Sequence, residues 1–118
     1  MPPAPPCPCS SGQRYSQCCA PYHRGAEPPD AERLMRSRYS AFAVGDSAYL
    51  SRTWHPSTRP ATVKATGSWV RLEVLASSGG LLDAEGIVHF RAHSLDGVVE
   101  ERSRFTRDAG RWAYLGPV

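Results

Sequence analysis

Cysteine carries the richest chemistry in this 118-residue chain, and its four cysteines all fall within the window CPCSSGQRYSQCC, at positions 7, 9, 18 and 19. A cysteine-x-cysteine pair, an eight-residue loop and a vicinal pair can bring four sulfurs to one point. Zinc takes four ligands tetrahedrally, with sulfur at about 2.3 Å, so such sulfurs must approach within roughly 4 Å of one another. Gly12 can supply the positive φ that reverses the loop, and backbone N–H groups within it can donate to the thiolates. Four thiolates around a divalent zinc leave a net negative charge, which nearby Arg14 and Arg24 can offset.

Other readings of the cysteines are weaker. Vicinal cysteines pair with each other only under strain, and a reducing compartment disfavours disulfides. A dithiol redox site favours a C-x-x-C motif beside a β-α-β unit, and neither is present. The expected fourth ligand is Cys19, the softer and nearer donor; the alternative is His23, four residues later, which otherwise lies beyond the metal or simply faces solvent. Neighbouring residues on a helix point about 100° apart, so Cys18 and Cys19 can share a metal only across a distorted turn. With four protein ligands no coordination position remains open, which makes the expected site structural rather than catalytic.

Composition sets the frame around this cluster. Hydrophobic residues make up 41% of the chain and charged residues 21%, a globular balance that permits a real core. No apolar run approaches the roughly 18–20 residues that span a bilayer. The N-terminal run MPPAPP has neither the basic nor the apolar region of a secretory signal, so the expected location is the cytoplasm. The net charge of +3 lies in the first half, because residues 61–118 carry seven bases and seven acids. That excess is too small to argue for RNA or ribosome contact by itself, although the N-terminal arginines leave it open.

The chain divides into a cysteine-bearing segment with a proline-rich lead, residues 1–29, and a folded remainder, residues 30–118. Asp30 suits a helix N-cap, and Gly45 the left-handed position after its end. Between them Leu34, Met35, Tyr39 and Phe42 share one stripe, with Arg33, Arg36 and Ser37 largely opposite. Asp46 caps a shorter helix that presents Tyr49, Leu50 and Trp54 and ends at His55-Pro56. Residues 56–66 read as a linker.

Alternation takes over after that. Val70, Leu72 and Val74 share one strand face, and Trp69, Arg71 and Glu73 the other. A second strand over 86–95 puts Val88, Phe90 and Ala92 opposite His89, Arg91 and His93. Those two histidines lie about 13 Å apart along the strand, too far to share a metal. Asp96-Gly97 predicts a tight hairpin into a third strand over 98–107, and a fourth covers 111–115. Helices followed by consecutive hairpins predict an α+β fold, with helices on one face of an antiparallel sheet.

The residues now resemble known families. The pattern Cys7-Pro-Cys-Ser-Ser-Gly, Tyr15, Cys18-Cys19, Pro21 and His23-Arg-Gly25 resembles the SEC-C motif, a zinc module that also ends the SecA translocation ATPase. Ser10 stands where that motif usually has glycine. LMRSRYSAF at 34–42, Asp46, Tyr49-Leu50, Thr53-Trp-His-Pro56, Glu101-Arg-Ser-Arg-Phe105 and Gly110-Arg-Trp112 with Tyr114 resemble the YchJ-like family. That resemblance implies a nuclear-transport-factor-two-like domain, a curved antiparallel sheet wrapped around helices into a cystatin-like cone with a pocket. It implies little about activity. The SecA module contacts other proteins, so the resemblance favours a non-catalytic adaptor with a protein partner.

The alternative is a small-molecule binder or enzyme that uses the cone pocket. Its candidate residues are Arg38, Trp54, His55, Glu101, Arg104 and Tyr114. Val99, Glu101, Ser103 and Phe105 share a strand face, so an inward Phe105 brings Glu101 inward too. A buried carboxylate must be paired or protonated, and Arg38, Arg71 and Arg91 are the bases that could pair with it. Trp54, Trp112 and Tyr114 read first as core aromatics. There is no Ser-His-Asp or Cys-His set with interpretable spacing, no phosphate-binding glycine loop and no H-E-x-x-H pair.

Overall fold

The computed structural model describes residues 5–118, so the first four residues of the proline-rich lead lie outside the described residues. A 3-10 turn, Tyr15–Gln17, leads into a short helix α1, Ala20–His23. Helices α2, Ala31–Val44, and α3, Ser47–Arg52, follow. Four strands complete the chain: β1, Trp69–Ser77; β2, Glu85–Ser94; β3, Gly97–Asp108; and β4, Arg111–Pro117. They form one antiparallel sheet in sequence order. The fold is therefore α+β, an open four-stranded sheet with helices packed on it. Among the described residues no helix is long and apolar enough to cross a membrane.

Local chemistry explains the helix ends. The Asp30 carboxylate accepts the Arg33 N–H at 2.7 Å, and Asp46 accepts that of Tyr49 at 3.0 Å. Gly45 takes φ 80° and closes α2. Helix α3 ends at Arg52, earlier than His55-Pro56 suggests, because residues 53–55 are needed elsewhere. Thr53 O accepts the Tyr114 N–H and Tyr114 O accepts the His55 N–H, each at 2.8 Å, which covers the β4 edge. On the opposite edge Ser10 Oγ accepts the Leu72 N–H at 2.9 Å.

Helix α2 is buried over more of its circumference than its apolar stripe predicts. Leu34, Met35 and Tyr39 face the sheet, but Ser37 and Ser40 are also fully buried. The cysteine segment and α3 cover that second face. Ser37 Oγ lies 2.8 Å from Leu34 O and 2.7 Å from Tyr49 Oη, so a small hydroxyl fills a site that a larger polar residue could not. One hydrophobic cluster accordingly contains Cys7, Cys9 and Cys19 together with Leu34, Tyr39, Leu72, Val88 and Phe105.

In β1 the register slips between Trp69 and Arg71, and again between Val74 and Ala76. The first slip reverses the expected parity. Val70 is exposed, while Trp69 packs against the core beside Tyr39 and Phe42. In β2, Val88, Phe90 and Ala92 face the core as alternation requires. The β2–β3 turn centres on Leu95-Asp96, one residue earlier than expected, and Gly97 takes the positive φ at the start of β3.

Gly79 and Gly86 meet where the start of α2 crosses the sheet. A side chain at Gly86 would run into Ser78 O and the Gly79 Cα, with the Ala31 methyl just beyond. Gly86→Ala is expected to destabilise the fold by about 1–3 kcal/mol, because the obstacles are backbone and cannot rotate away. Urea unfolding checks this, and an unchanged midpoint would contradict it.

Glu32 fastens the same corner, accepting hydrogen bonds from Arg36 Nε at 3.0 Å and Ser77 Oγ at 2.8 Å. Burial pushes the Glu32 carboxyl up, but the Arg36 and Ser77 hydrogen bonds outweigh it and hold it below the usual glutamate range. The folded-state value is depressed, so this contribution is present above the unfolded value of about 4.3 and is lost as pH falls through the folded one. The site is partly exposed, so Glu32→Gln is expected to cost less than about 1 kcal/mol at pH 7. Stability titrations of the two proteins should converge on acidification.

Candidate metal centre and pocket

The loop 9–18 and the start of α1 gather the cysteines. The Cys7 N–H donates to Gln13 O at 2.8 Å and the Ser10 N–H to Cys7 O at 3.2 Å, which ties the loop into a tight return. Ser10 adopts φ 66° and Gly12 φ 85°. The first is the left-handed region, strained for a residue with a Cβ by about 1 kcal/mol. The Leu72 hydrogen bond to Ser10 Oγ offsets that strain, so the serine that replaces the motif's glycine fastens the loop to the sheet. Cys18 lies at φ −121°, ψ −89°, outside the helical region. This is the distorted turn that lets two adjacent cysteines face one point.

All four sulfurs lie within 4.8 Å of one another. The Cys9–Cys18 separation is 3.6 Å and the Cys18–Cys19 separation 3.9 Å. A tetrahedron of thiolates about 2.3 Å from a metal has edges of about 3.8 Å, so the set fits a metal ion. No disulfide joins them. Cys7, Cys9 and Cys19 are buried and Cys18 is half-buried. Ser11 Oγ sits 3.2 Å from the Cys18 sulfur and Ser40 Oγ 3.4 Å from that of Cys7. Hydrogen bonds from Cys19 and Cys9 hold Cys7 down, whereas burial pushes Cys18 up to about 11.

His23 is engaged elsewhere. Its Nε2 is 2.8 Å from Ser37 O and its Nδ1 is 2.6 Å from Tyr15 Oη. A carbonyl can only accept, so Nε2 carries the proton and Nδ1 accepts from the tyrosine. His23 therefore latches α1 to α2. The arginine beside the cluster is Arg36, whose Nη1 donates to Cys9 O at 3.0 Å. Arg14 and Arg24, expected there from sequence, are exposed. The basic face of α2 is partly neutralised, with Arg33 facing Asp30 at 3.9 Å and Arg36 paired with Glu32.

A cavity of about 210 Å³ lies between α2 and the sheet. Arg38, Trp54, Glu101 and Tyr114 line it, as do Tyr39, Trp69 and Ser103. His55 and Arg104 do not. His55 Nδ1 is 2.7 Å from Ser57 Oγ, and Arg104 is exposed on the outer sheet face, opposite in parity to Glu101. The bases expected to pair with Glu101 are also displaced. Arg71 and Arg91 lie on the outer face, where Arg71 approaches Glu73 and Arg91 binds Glu100.

Glu101 is instead held by hydroxyls. Oε2 accepts from Ser103 Oγ and, at 3.0 Å, from Tyr114 Oη. Burial, then the Glu101 charge, raises the Tyr114 phenol above its usual range and keeps it a donor. The Arg38 guanidinium stacks 4.6 Å from the Tyr114 ring and 5.1 Å from that of Trp54. Its Nη1 donates to Leu50 O at 2.8 Å and Thr53 Oγ1 at 2.7 Å. Tyr114 thus stands between a buried cation and a carboxylate. Sequence reasoning placed Ser103 on the Glu101 face but gave it no role, and missed Trp69 because the β1 slip turns it inward.

Residues 30–117 match the family described as YchJ, middle NTF2-like domain. The chain belongs to the YchJ-like family. It is 48% identical over 116 residues to a UPF0225 protein of Streptomyces coelicolor, covering 95% of this chain and 94% of that one. It is 49% identical over 120 residues to one of Corynebacterium efficiens, covering 95% and 92%. The solution structure of a SEC-C motif containing protein from Rhodopseudomonas palustris superposes with a TM-score of 0.80 at 32% identity, covering 95% of this chain and 96% of that one. The crystal structure of a SEC-C motif containing protein from Psychrobacter arcticus gives 0.76 at 28% identity, covering 95% and 81%. These similarities span the cysteine segment as well as the YchJ-like domain.

Proposed function

We propose that the four cysteines hold one structural zinc ion and that the chain is a non-catalytic protein-interaction module of the cytoplasm. The observation that carries this reading is the closed ligand set. Four sulfurs converge, His23 is occupied by Tyr15 and Ser37, and no coordination position is left for a substrate. Such an ion orders the loop between Cys9 and Cys18, which presents the exposed polar side chains of Ser11, Gln13, Arg14 and Gln17. Docking on this loop would suit a partner with a polar, partly acidic surface.

Elemental analysis should find one zinc per chain; iron, or no metal, would refute the zinc assignment. Replacing Gln13, Arg14 and Gln17 by alanine leaves the ligands untouched. In-cell crosslinking of that variant should lose the partner joined to the wild-type protein. An unchanged crosslinked partner would refute the docking surface.

A further inference from the structure

We infer that the cavity between α2 and the sheet binds a neutral, ring-sized molecule that donates an O–H or N–H group to Glu101 Oε1. The metal plays no part in this site. An ionised carboxylate offers about four acceptor positions, two on each oxygen. Oε2 is filled, accepting from Ser103 Oγ and, at 3.0 Å, from Tyr114 Oη. Oε1 accepts nothing from the described residues. The polar side-chain atoms that are both unpartnered and shut off from solvent are Tyr39 Oη and Trp54 Nε1. Oε1 is not among them, so it keeps accessible surface, and Glu101 as a whole is only partly buried. The two hydroxyls thus fix which oxygen is spent and which is open.

The strand shows where that surface lies. Glu101 shares the inner face of β3 with Val99, Ser103 and Phe105, and all four line the cavity. Val99 is 48% exposed, whereas Ser103 and Phe105 are each 1% exposed. The cavity therefore opens beside Val99 and ends at Ser103, with Glu101 half-way down its wall. Phe90, opposite Glu101 in the β2–β3 register, joins Phe42 and Trp69 as aromatic walls that suit a flat ring. An engineered cavity of about 150 Å³ holds benzene. The cavity here, at about 210 Å³, takes such a ring with a few additional heavy atoms. Arg38 and Glu101 are the charged residues of its lining, and their charges cancel. A cation would set two positive groups against one carboxylate, and an anion would face Glu101 itself, so the fitting molecule is neutral.

The test uses the full-length, metal-loaded chain and three probes of similar size: p-cresol, which donates; acetophenone, which only accepts; and benzylammonium, a cation. The readout is the backbone amide resonances of Val99, Glu101 and Ser103. p-Cresol should shift them and saturate at millimolar concentration, as suits so small a ligand. Acetophenone and benzylammonium should each bind at least about tenfold more weakly, because one lacks the donor to a charged oxygen and the other upsets the charge balance. Glu101→Gln supplies a second arm. The Ser103 and Tyr114 hydroxyls donate toward the Oε2 position, so the amide oxygen settles there and the amide nitrogen turns to the cavity. The open acceptor becomes a donor, and the advantage of p-cresol over acetophenone should fall to within about twofold or reverse. Unmoved β3 resonances, equal binding of p-cresol and acetophenone by the wild type, preference for benzylammonium, or an unchanged order and ratio in Glu101→Gln would each overturn the inference.

Discussion

Cys9→Ser is expected to unfold the whole chain cooperatively at lower denaturant, not merely to release its N-terminal segment. Cys9 is completely buried and belongs to the same cluster as Leu34, Leu72 and Phe105. The substitution keeps the volume but removes a thiolate ligand and leaves a hydroxyl in an apolar setting. Metal binding by small thiolate sites contributes about 10–16 kcal/mol of folding free energy. Domains of this size hold only about 5–15 kcal/mol in total. A loss of about 4 kcal/mol or more therefore removes a large share of the stability, and chelation should act in the same direction.

The measurement is direct because every tryptophan, at 54, 69 and 112, lies beyond the cysteine segment. Trp112 donates to Pro29 O and so also senses the N-terminal segment, whereas Trp54, packed against Tyr114 and Arg38, reports on β4 and α2. Urea unfolding followed by fluorescence and by metal release should give coincident transitions in the wild type, both shifted together in Cys9→Ser. A metal-free variant with an unmoved fluorescence transition would show that the segment is an independent appendage. Sequence reasoning favours that appendage, since residues 1–29 stand apart behind two prolines. The packing of Cys7, Cys9 and Cys19 against α2 points the other way, toward a metal that completes the core.

The difference shows which features a sequence exposes. Helix caps at Asp30 and Asp46, the face of β2 and the convergence of the cysteines depend on neighbours within a few residues, and each was legible. The burial of Ser37 and Ser40 was not, because it follows from elements brought over α2 from both sides. Trp69 was misplaced by a single slipped residue, which inverts every parity argument before it. Arg104 stood among the pocket candidates, although strand alternation from Glu101 already sends it to the other face. Arg36 escaped notice as the base beside the cluster because 27 positions separate it from Cys9.

Arg38→Ala carries the second large expected effect, about 3 kcal/mol of destabilisation. Arg38 is 5% exposed, and burial pushes its guanidinium down to about 10 despite the attraction of Tyr114, Tyr49 and Glu101. The charge itself is thus a burden on the fold. What retains it is geometry: two hydrogen bonds, to Leu50 and Thr53, and two aromatic faces. Hydrogen bonds to charged groups contribute about 1.5–3 kcal/mol each, and a cation over an aromatic ring about 0.5–1 kcal/mol or more. Relief of desolvation returns part of that sum, which leaves the net figure. The mutation also strands Glu101 without its counter-charge. Glu101→Gln should therefore recover part of the loss in the double variant, giving a coupling above about 0.5 kcal/mol. The two side chains form no direct ion pair, so this coupling would pass through the Tyr114 hydroxyl and ring. Tyr114→Phe, which keeps the ring but drops the bond to Glu101, should reduce it. A cycle that is additive within about 0.3 kcal/mol would show instead that Arg38 serves α3 alone.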